Sequence, residues 1–222
     1  MNKYIVGLLI GFLIGTAALV ATTRVVLQQQ KAEKTFHEHA NFAVFLNGTR
    51  FDFAKIQYMN TTPCTAGIPV LVPVAQAHGD VNDLRDAVHL HDQNGGVVHV
   101  HRAGITWHNF FETLEMTFEK GTFTDDTGKK YENNDQNSFR YFVNGKEETD
   151  ITNREIRDLD SVLITYGRKN RPQTSIQQEL GQIPNDACVS SGLCNSRGPA
   201  PVETCGGHAT NPSWLEQLLG VN

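Results

Sequence analysis

No Cys-x-x-Cys pair, phosphate-cradling glycine loop, metalloprotease helix motif or Ser-His-Asp order occurs in the 222 residues. These absences remove thiol-redox, nucleotide, zinc-protease and serine-hydrolase readings, so catalysis would need a bound metal to supply it. Basic clusters are missing as well. With 19 Lys and Arg against 24 Asp and Glu, the formal charge of −5 argues against nucleic acid or anionic lipid as a partner. Methionine is scarce, with only Met59 and Met116 beyond Met1.

Charge is also absent from Tyr4 to Thr22, a run as long as the roughly 20 residues a helix needs to cross a bilayer. The expectation is an uncleaved N-terminal transmembrane helix within residues 1–27. A cleaved signal peptide is the rival, since Lys3 precedes the apolar run, although a small-x-small cleavage site is poorly formed around Leu19 to Ala21. Gly7, Gly11 and Gly15 recur every four residues and would let two such helices approach closely, which points to a homodimer in the membrane. Lys3 on one side and Arg24, Lys31 and Lys34 on the other leave the positive-inside count undecided.

The cysteines decide the side. Cys188, Cys194 and Cys205 fall in a stretch rich in Gly, Pro, Ser and Asn that has little to bury. Disulfides are most useful there and persist outside the cytoplasm, so the folded part is expected to be extracytoplasmic at the cell membrane. A zinc site built from these cysteines is the alternative. Which of them joins Cys64 is open.

Residues 28–34 read as a polar stalk, 35–170 as one domain and 171–222 as a cysteine-bearing tail. Prolines at 63, 69 and 73 make the stretch from Asn60 to Ala77 a long loop. Phe42, Val44 and Leu46 alternate up to Asn47-Gly48, and Phe51 and Phe53 follow. That is a hairpin signal, and a two-residue turn sets Val44 against Phe51 and Phe42 against Phe53. Phe139, Tyr141 and Val143 lead to Asn144-Gly145 in the same way, and Ser161 to Gly167 forms a closing strand. Thr106 can cap a helix of about ten residues bearing Phe110, Phe111 and Leu114. The tail ends in a second amphipathic pattern, with Asn211 as cap, Pro212 in the first turn, and Trp214, Leu215, Leu218 and Leu219 at helical spacing. It is expected to fold back on an apolar surface.

Together these elements describe an α+β domain in which one main helix covers a mixed sheet. FRYFVNGKEE followed by IRDLDSVLITYG resembles the closing half of ubiquitin-like sulfur-carrier and transcobalamin-like domains, which implies a β-grasp-like sheet. No Gly-Gly tail follows, so sulfur-carrier chemistry is not implied. HEHANFAVFLNGTRFDF, VHLHDQNGGVVHVHRAGITWHNFFETL and DACVSSGLCNSRGPAPVETC together resemble a group of uncharacterised membrane-anchored proteins of archaea and candidate-phylum bacteria. That resemblance supplies an arrangement and no activity.

Six of the nine histidines form three His-x-His pairs: His37 with His39, His89 with His91, and His99 with His101. Residues two apart on a strand share a face, so each pair can point both imidazoles to one side. With Asn94, Gly95 and Gly96 as a three-residue loop, His91 would lie across from His99 and His89 across from His101. Val88, Leu90, Val98 and Val100 would then share the opposite face as core. The pair at 37 and 39 joins only if the first strand neighbours this hairpin. Imidazole-rich sites suit copper(II), zinc or nickel, and the scarcity of methionine disfavours copper(I), so copper and zinc lead. Asp92 and Glu38 are acid or base candidates. His108 reads as a solvated first-turn residue, and His78 and His208 have no partner by spacing.

Two function classes follow. One is an extracytoplasmic module binding copper or zinc through these histidines. The other is a cell-envelope assembly or interaction module whose histidines are incidental; a metal enzyme comes third, and a pH-sensing surface is a separate reading of the histidines.

Overall fold

The computed structural model describes residues 11–12, 14–25, 27, 36–60 and 84–199. The Asn60–Ala77 loop beyond its first residue, Gly7, Cys64, His78, Cys205, His208 and the Asn211–Leu219 pattern lie outside them. Two compact units make up the chain: Met1–Thr35 with Gly206–Asn222, and Phe36–Cys205. In the first, the described residues from 11 to 27 are helical. Among the described residues, no helix is long and apolar enough to cross a membrane, and Tyr4 to Gly11 falls largely outside that set.

The second unit is a mixed α+β structure. Its first strand, β1 (Glu38–Leu46), turns at Asn47 and Gly48, both at positive φ (55° and 80°), into the short β2 (Thr49–Arg50). Left-handed values at both central positions define the turn that matches strand twist, which is why Asn-Gly stands there. The Phe51 amide donates to the Val44 carbonyl at 2.8 Å, as the two-residue turn requires. β2 stops at Arg50, yet the rings of Phe42 and Phe53 still pack 5.1 Å apart.

After a one-turn helix, α1 (Leu84–Ala87), come β3 (Val88–His89) and β4 (Val97–Val100). The main helix, α2 (Trp107–Thr113), begins at Thr106, whose side chain accepts from the Asn109 amide while Asn109 reaches back to the cap. This capping box satisfies two otherwise orphaned donors. The helix is seven residues long, shorter than the ten expected, because Leu114 already leaves helical geometry at φ −94° and ψ 10°. A small sheet of β5 (Thr117–Glu119), β6 (Thr122–Thr124) and β7 (Lys130–Glu132) follows. Then come β8 (Asn137–Val143), β9 (Lys146–Glu148) and β10 (Ser161–Arg168). Two short helices close the unit, α3 (Gln173–Leu180) and α4 (Ala187–Ser190).

Among the described residues seven strands form one mixed sheet in the order β3-β4-β1-β10-β8-β9, with β2 also on β1. β10 lies parallel to β1 and antiparallel to β8. The even-numbered side of β1 (Ala40, Phe42, Val44, Leu46) is buried against Trp107, Phe110 and Phe111 of α2 and Phe118 and Phe123 of the small sheet. The odd-numbered side is divided. Ala43 and Phe45 pack with Phe142, Leu163 and Ile176 of α3. Behind them the half-buried Arg171 and the buried Glu179 pair at 2.9 Å and share the Thr165 hydroxyl. His37, His39 and Asn41 occupy the rest of that side.

The expected hairpin register is displaced by two residues. His89 lies opposite His99, and Val88 opposite Val100. The tight turn is made by Asp92 and Gln93, at φ 55° and 56°, with the Asn94 amide donating to the His91 carbonyl. Asn94, Gly95 and Gly96 then form a further stretch instead of the turn itself. Gly95 runs so close to the Phe53–Ala54 backbone that a Cβ there would collide with the Ala54 nitrogen. A shift of two preserves the pleat, so no side chain changes face.

Candidate metal centre

β4 pairs with β1 as well as with β3, and this places His39 directly opposite His99. One row therefore reads His89, His99, His39 across three strands. His101 and His37 stand one pleat further along, just past the paired segment. His91 lies beyond the end of β3.

The six imidazoles close a circuit. Ring centroids are 3.7 Å apart for His91 and His99, 4.6 Å for His99 and His39, and 4.4 Å for His39 and His37. The circuit continues at 4.4 Å from His37 to His101, 4.9 Å to His89 and 5.8 Å back to His91. His39, His89 and His99 are only 2–3% exposed, whereas His37, His91 and His101 are half-buried. The histidine face is therefore largely covered. α4 lies against β1, and the Asp186 and Ala187 amides donate to the Asn41 side-chain oxygen at 2.8 and 2.9 Å.

Within the circuit, His37, His39 and His99 each offer one ligand nitrogen, all within 4.8 Å of one another, and this cluster could hold a metal ion. Bonds near 2.0–2.1 Å to a tetrahedral ion put ligand nitrogens about 3.4 Å apart, so small side-chain rotations would close the site. His101, stacked on His37, stands beside the triad. His89 and His91 flank it.

The hydrogen bonds assign a tautomer to four of the imidazoles. His89 Nδ1 lies 2.8 Å from the Arg85 carbonyl, which only accepts, so Nδ1 carries the proton. His91 Nδ1 lies 2.8 Å from the Asp92 carboxylate, leaving Nε2 as the acceptor for His99 Nδ1–H at 3.0 Å. The lone pair of His99 is then on Nε2. His39 Nδ1 lies 2.8 Å from Ser191 Oγ. That hydroxyl donates its only proton to Asp158 Oδ1 at 3.0 Å, so it accepts from His39, whose lone pair is also on Nε2. Outer partners that hold a ligand histidine in one tautomer are the usual companions of a metal site.

The two acid-base candidates take structural roles. Asp92 orients His91. Glu38 points to the other side of β1 and accepts from the Asp158 amide at 3.1 Å, and burial pushes its carboxyl above the usual range. His108 lies outside the circuit, tied by Nδ1 to the Phe118 carbonyl at 2.8 Å, not merely solvated as expected. An open cleft of about 470 Å³ is lined by Arg50, Asp52, Asp92 and Asn94, and none of the six histidines borders it.

Asn41, Asp158 and Ser191 escaped sequence reasoning. Asn41 continues the odd-numbered run begun by His37 and His39, and Ser191 lies between Cys188 and Cys194, which are joined by a disulfide. Asp158 carries no local signal.

The chain matches no protein-family model, no curated protein and no solved structure. Its own geometry defines its class: an α+β domain with a buried polyhistidine cluster able to take a metal ion.

Proposed function

We propose that the chain is a membrane-anchored, extracytoplasmic protein that binds copper or zinc at His37, His39 and His99, with His101, His89 and His91 completing the surrounding shell. One observation carries this reading. Three imidazoles from adjacent strands bring ligand nitrogens within 4.8 Å, and the proton on two of them is assigned to the nitrogen turned to a supporting group. All-imidazole donors suit copper(II) or zinc. The extracytoplasmic part is supported by the Cys188–Cys194 disulfide, which belongs to an oxidising compartment. The anchor is supported by the uncharged run from Tyr4 to Thr22 and by the exposure of Phe12, Ile14 and Leu19 on the helical stretch. Gly7, Gly11 and Gly15 remain the proposed contact between two such helices.

We also read the sheet as β-grasp-like. In its support, a hairpin of the first two strands, a helix across one face and a last strand parallel to the first are the features that fold combines. Membership of the membrane-anchored archaeal and candidate-phylum group stands as a proposal on the motifs quoted above.

Metal analysis of full-length protein purified without an affinity tag tests the function. About one equivalent of copper or zinc per chain, lost in His39→Ala/His99→Ala, is expected. A metal-free chain that also fails to take up either ion would favour the cell-envelope interaction module with incidental histidines.

A further inference from the structure

We propose that Ser191 is a positioning residue for the metal ligand His39, and that the Cys188–Cys194 bridge holds it in place, so that metal affinity follows the state of the disulfide. This rests on the metal-binding reading above and adds a means of control to it.

From the bridged segment Ser191 reaches the circuit with its side chain, at His39. Its hydroxyl links His39 Nδ1 at 2.8 Å to Asp158 Oδ1 at 3.0 Å, and the same Asp158 oxygen accepts the His39 amide at 3.0 Å. The carboxylate therefore grips the ligand residue twice, once through its backbone and once through the serine. Removing the hydroxyl removes both the acceptor at His39 Nδ1 and its tie to Asp158.

Ser191 arrives from a segment with little apolar content. It ends the one-turn α4, where its amide donates to the Ala187 carbonyl at 2.8 Å, and Gly192 beyond it takes φ 67°. The bridge spans this turn from Cys188 to Cys194. One side of the segment is fixed to the sheet through Asn41, two residues past His39 on the same face. The other is pinned by Arg197, which donates to the Asp186 carboxylate at 2.6 Å and to the Asn185 carbonyl. A four-residue helix has no stability of its own, so the covalent link acts with the Asn41 and Arg197 contacts to keep the serine against the histidine.

Opening the bridge needs a thiol reductant. A dithiol supplies two electrons and two protons, Cys188 and Cys194 become thiols, and the dithiol becomes a disulfide. Ser191 would then leave His39, and the ligand would lose its fixed tautomer.

The test uses full-length protein and cobalt(II), whose visible spectrum reports ligand geometry. Ser191→Ala should weaken cobalt binding about 10- to 100-fold, the usual effect of losing an outer partner, and alter the spectrum. Ser191→Thr keeps the hydroxyl and should restore both. Cys188→Ala/Cys194→Ala should weaken binding to a similar degree, and adding Ser191→Ala to it should change nothing further, because both act on one bond. Circular dichroism verifies folding, and if the double cysteine variant does not fold, the parent reduced with a dithiol, freed of it and titrated without air takes its place, where unchanged affinity would overturn the control by the bridge. Unchanged affinity and spectrum in Ser191→Ala, in a parent that binds cobalt, would overturn this proposal and leave the metal site standing. A parent that binds no cobalt would overturn both.

Discussion

β1 serves two unlike neighbourhoods with alternate residues. Its even-numbered side gives Ala40, Phe42, Val44 and Leu46 to a core filled by α2 and the small sheet. Its odd-numbered side gives His39 and Asn41, with His37 just before the strand, to a largely buried polar cluster, and only then Ala43 and Phe45 to a smaller apolar patch. Each buried imidazole needs its hydrogen bonds met, since an unmet polar group costs about 1–3 kcal/mol. The comparison teaches that one face of the sheet supplies enough apolar burial to let the other hold chemistry. The polar side is stabilised by specific partners, among them Asp158, Asp92 and the Arg85 carbonyl.

Four substitutions or additions probe that division. The largest effect should come from the apolar side: Phe42→Ala, at a fully buried position, should cost about 3–5 kcal/mol in denaturant unfolding. A loss under about 1 kcal/mol would mean that this face is not what carries the fold. Next is the largely buried ion pair behind the smaller patch. Glu179→Ala strands Arg171 and should cost toward the lower end of about 3–5 kcal/mol, whereas Arg171→Met/Glu179→Leu should recover most of it. If the single and double variants lose the same amount, the pair itself holds α3 down.

The third sharpens the polar side. Zinc or copper at about 100 times its dissociation constant should stabilise the parent by about 2.7 kcal/mol and leave His39→Ala/His99→Ala unmoved. The smallest effect lies at the surface, where Arg140 grips Glu147 through two bonds of 2.6 and 2.7 Å. Arg140 holds the Glu147 carboxyl below its ordinary 4.5, so the folded state takes up this proton less readily than the unfolded chain. The stabilisation is present above the ordinary value and is lost as pH falls through the lowered folded value. Glu147→Gln should therefore cost at most about 1 kcal/mol at pH 7 and nothing in strong acid, where the parent has lost the same interaction.

Much of this arrangement could be read without coordinates. The Asn-Gly turns, the Thr106 cap and the apolar alternation of β1 and β8 are local, and local chemistry decides them. The faces of the histidine hairpin were also readable, because Val88, Leu90, Val98 and Val100 had to be buried together. Its register was not. The choice between turns at Asp92-Gln93 and Asn94-Gly96 depends on how closely Gly95 approaches Ala54, a contact between segments some 40 residues apart. The pairing of β1 with β4, which brings His39 to His99, is equally nonlocal. The cover over the cluster was hardest to foresee, since Ser191 and Asp158 meet His39 across more than a hundred residues of chain.

The central claim is that His37, His39 and His99 form one metal site, and calorimetric titration of the full-length chain with zinc and copper(II) tests it most directly. The account predicts saturable binding of about one ion per chain, abolished in His39→Ala/His99→Ala and retained in His108→Ala, whose imidazole lies outside the circuit. Equal binding by parent and double variant, or no binding by the parent, would contradict it.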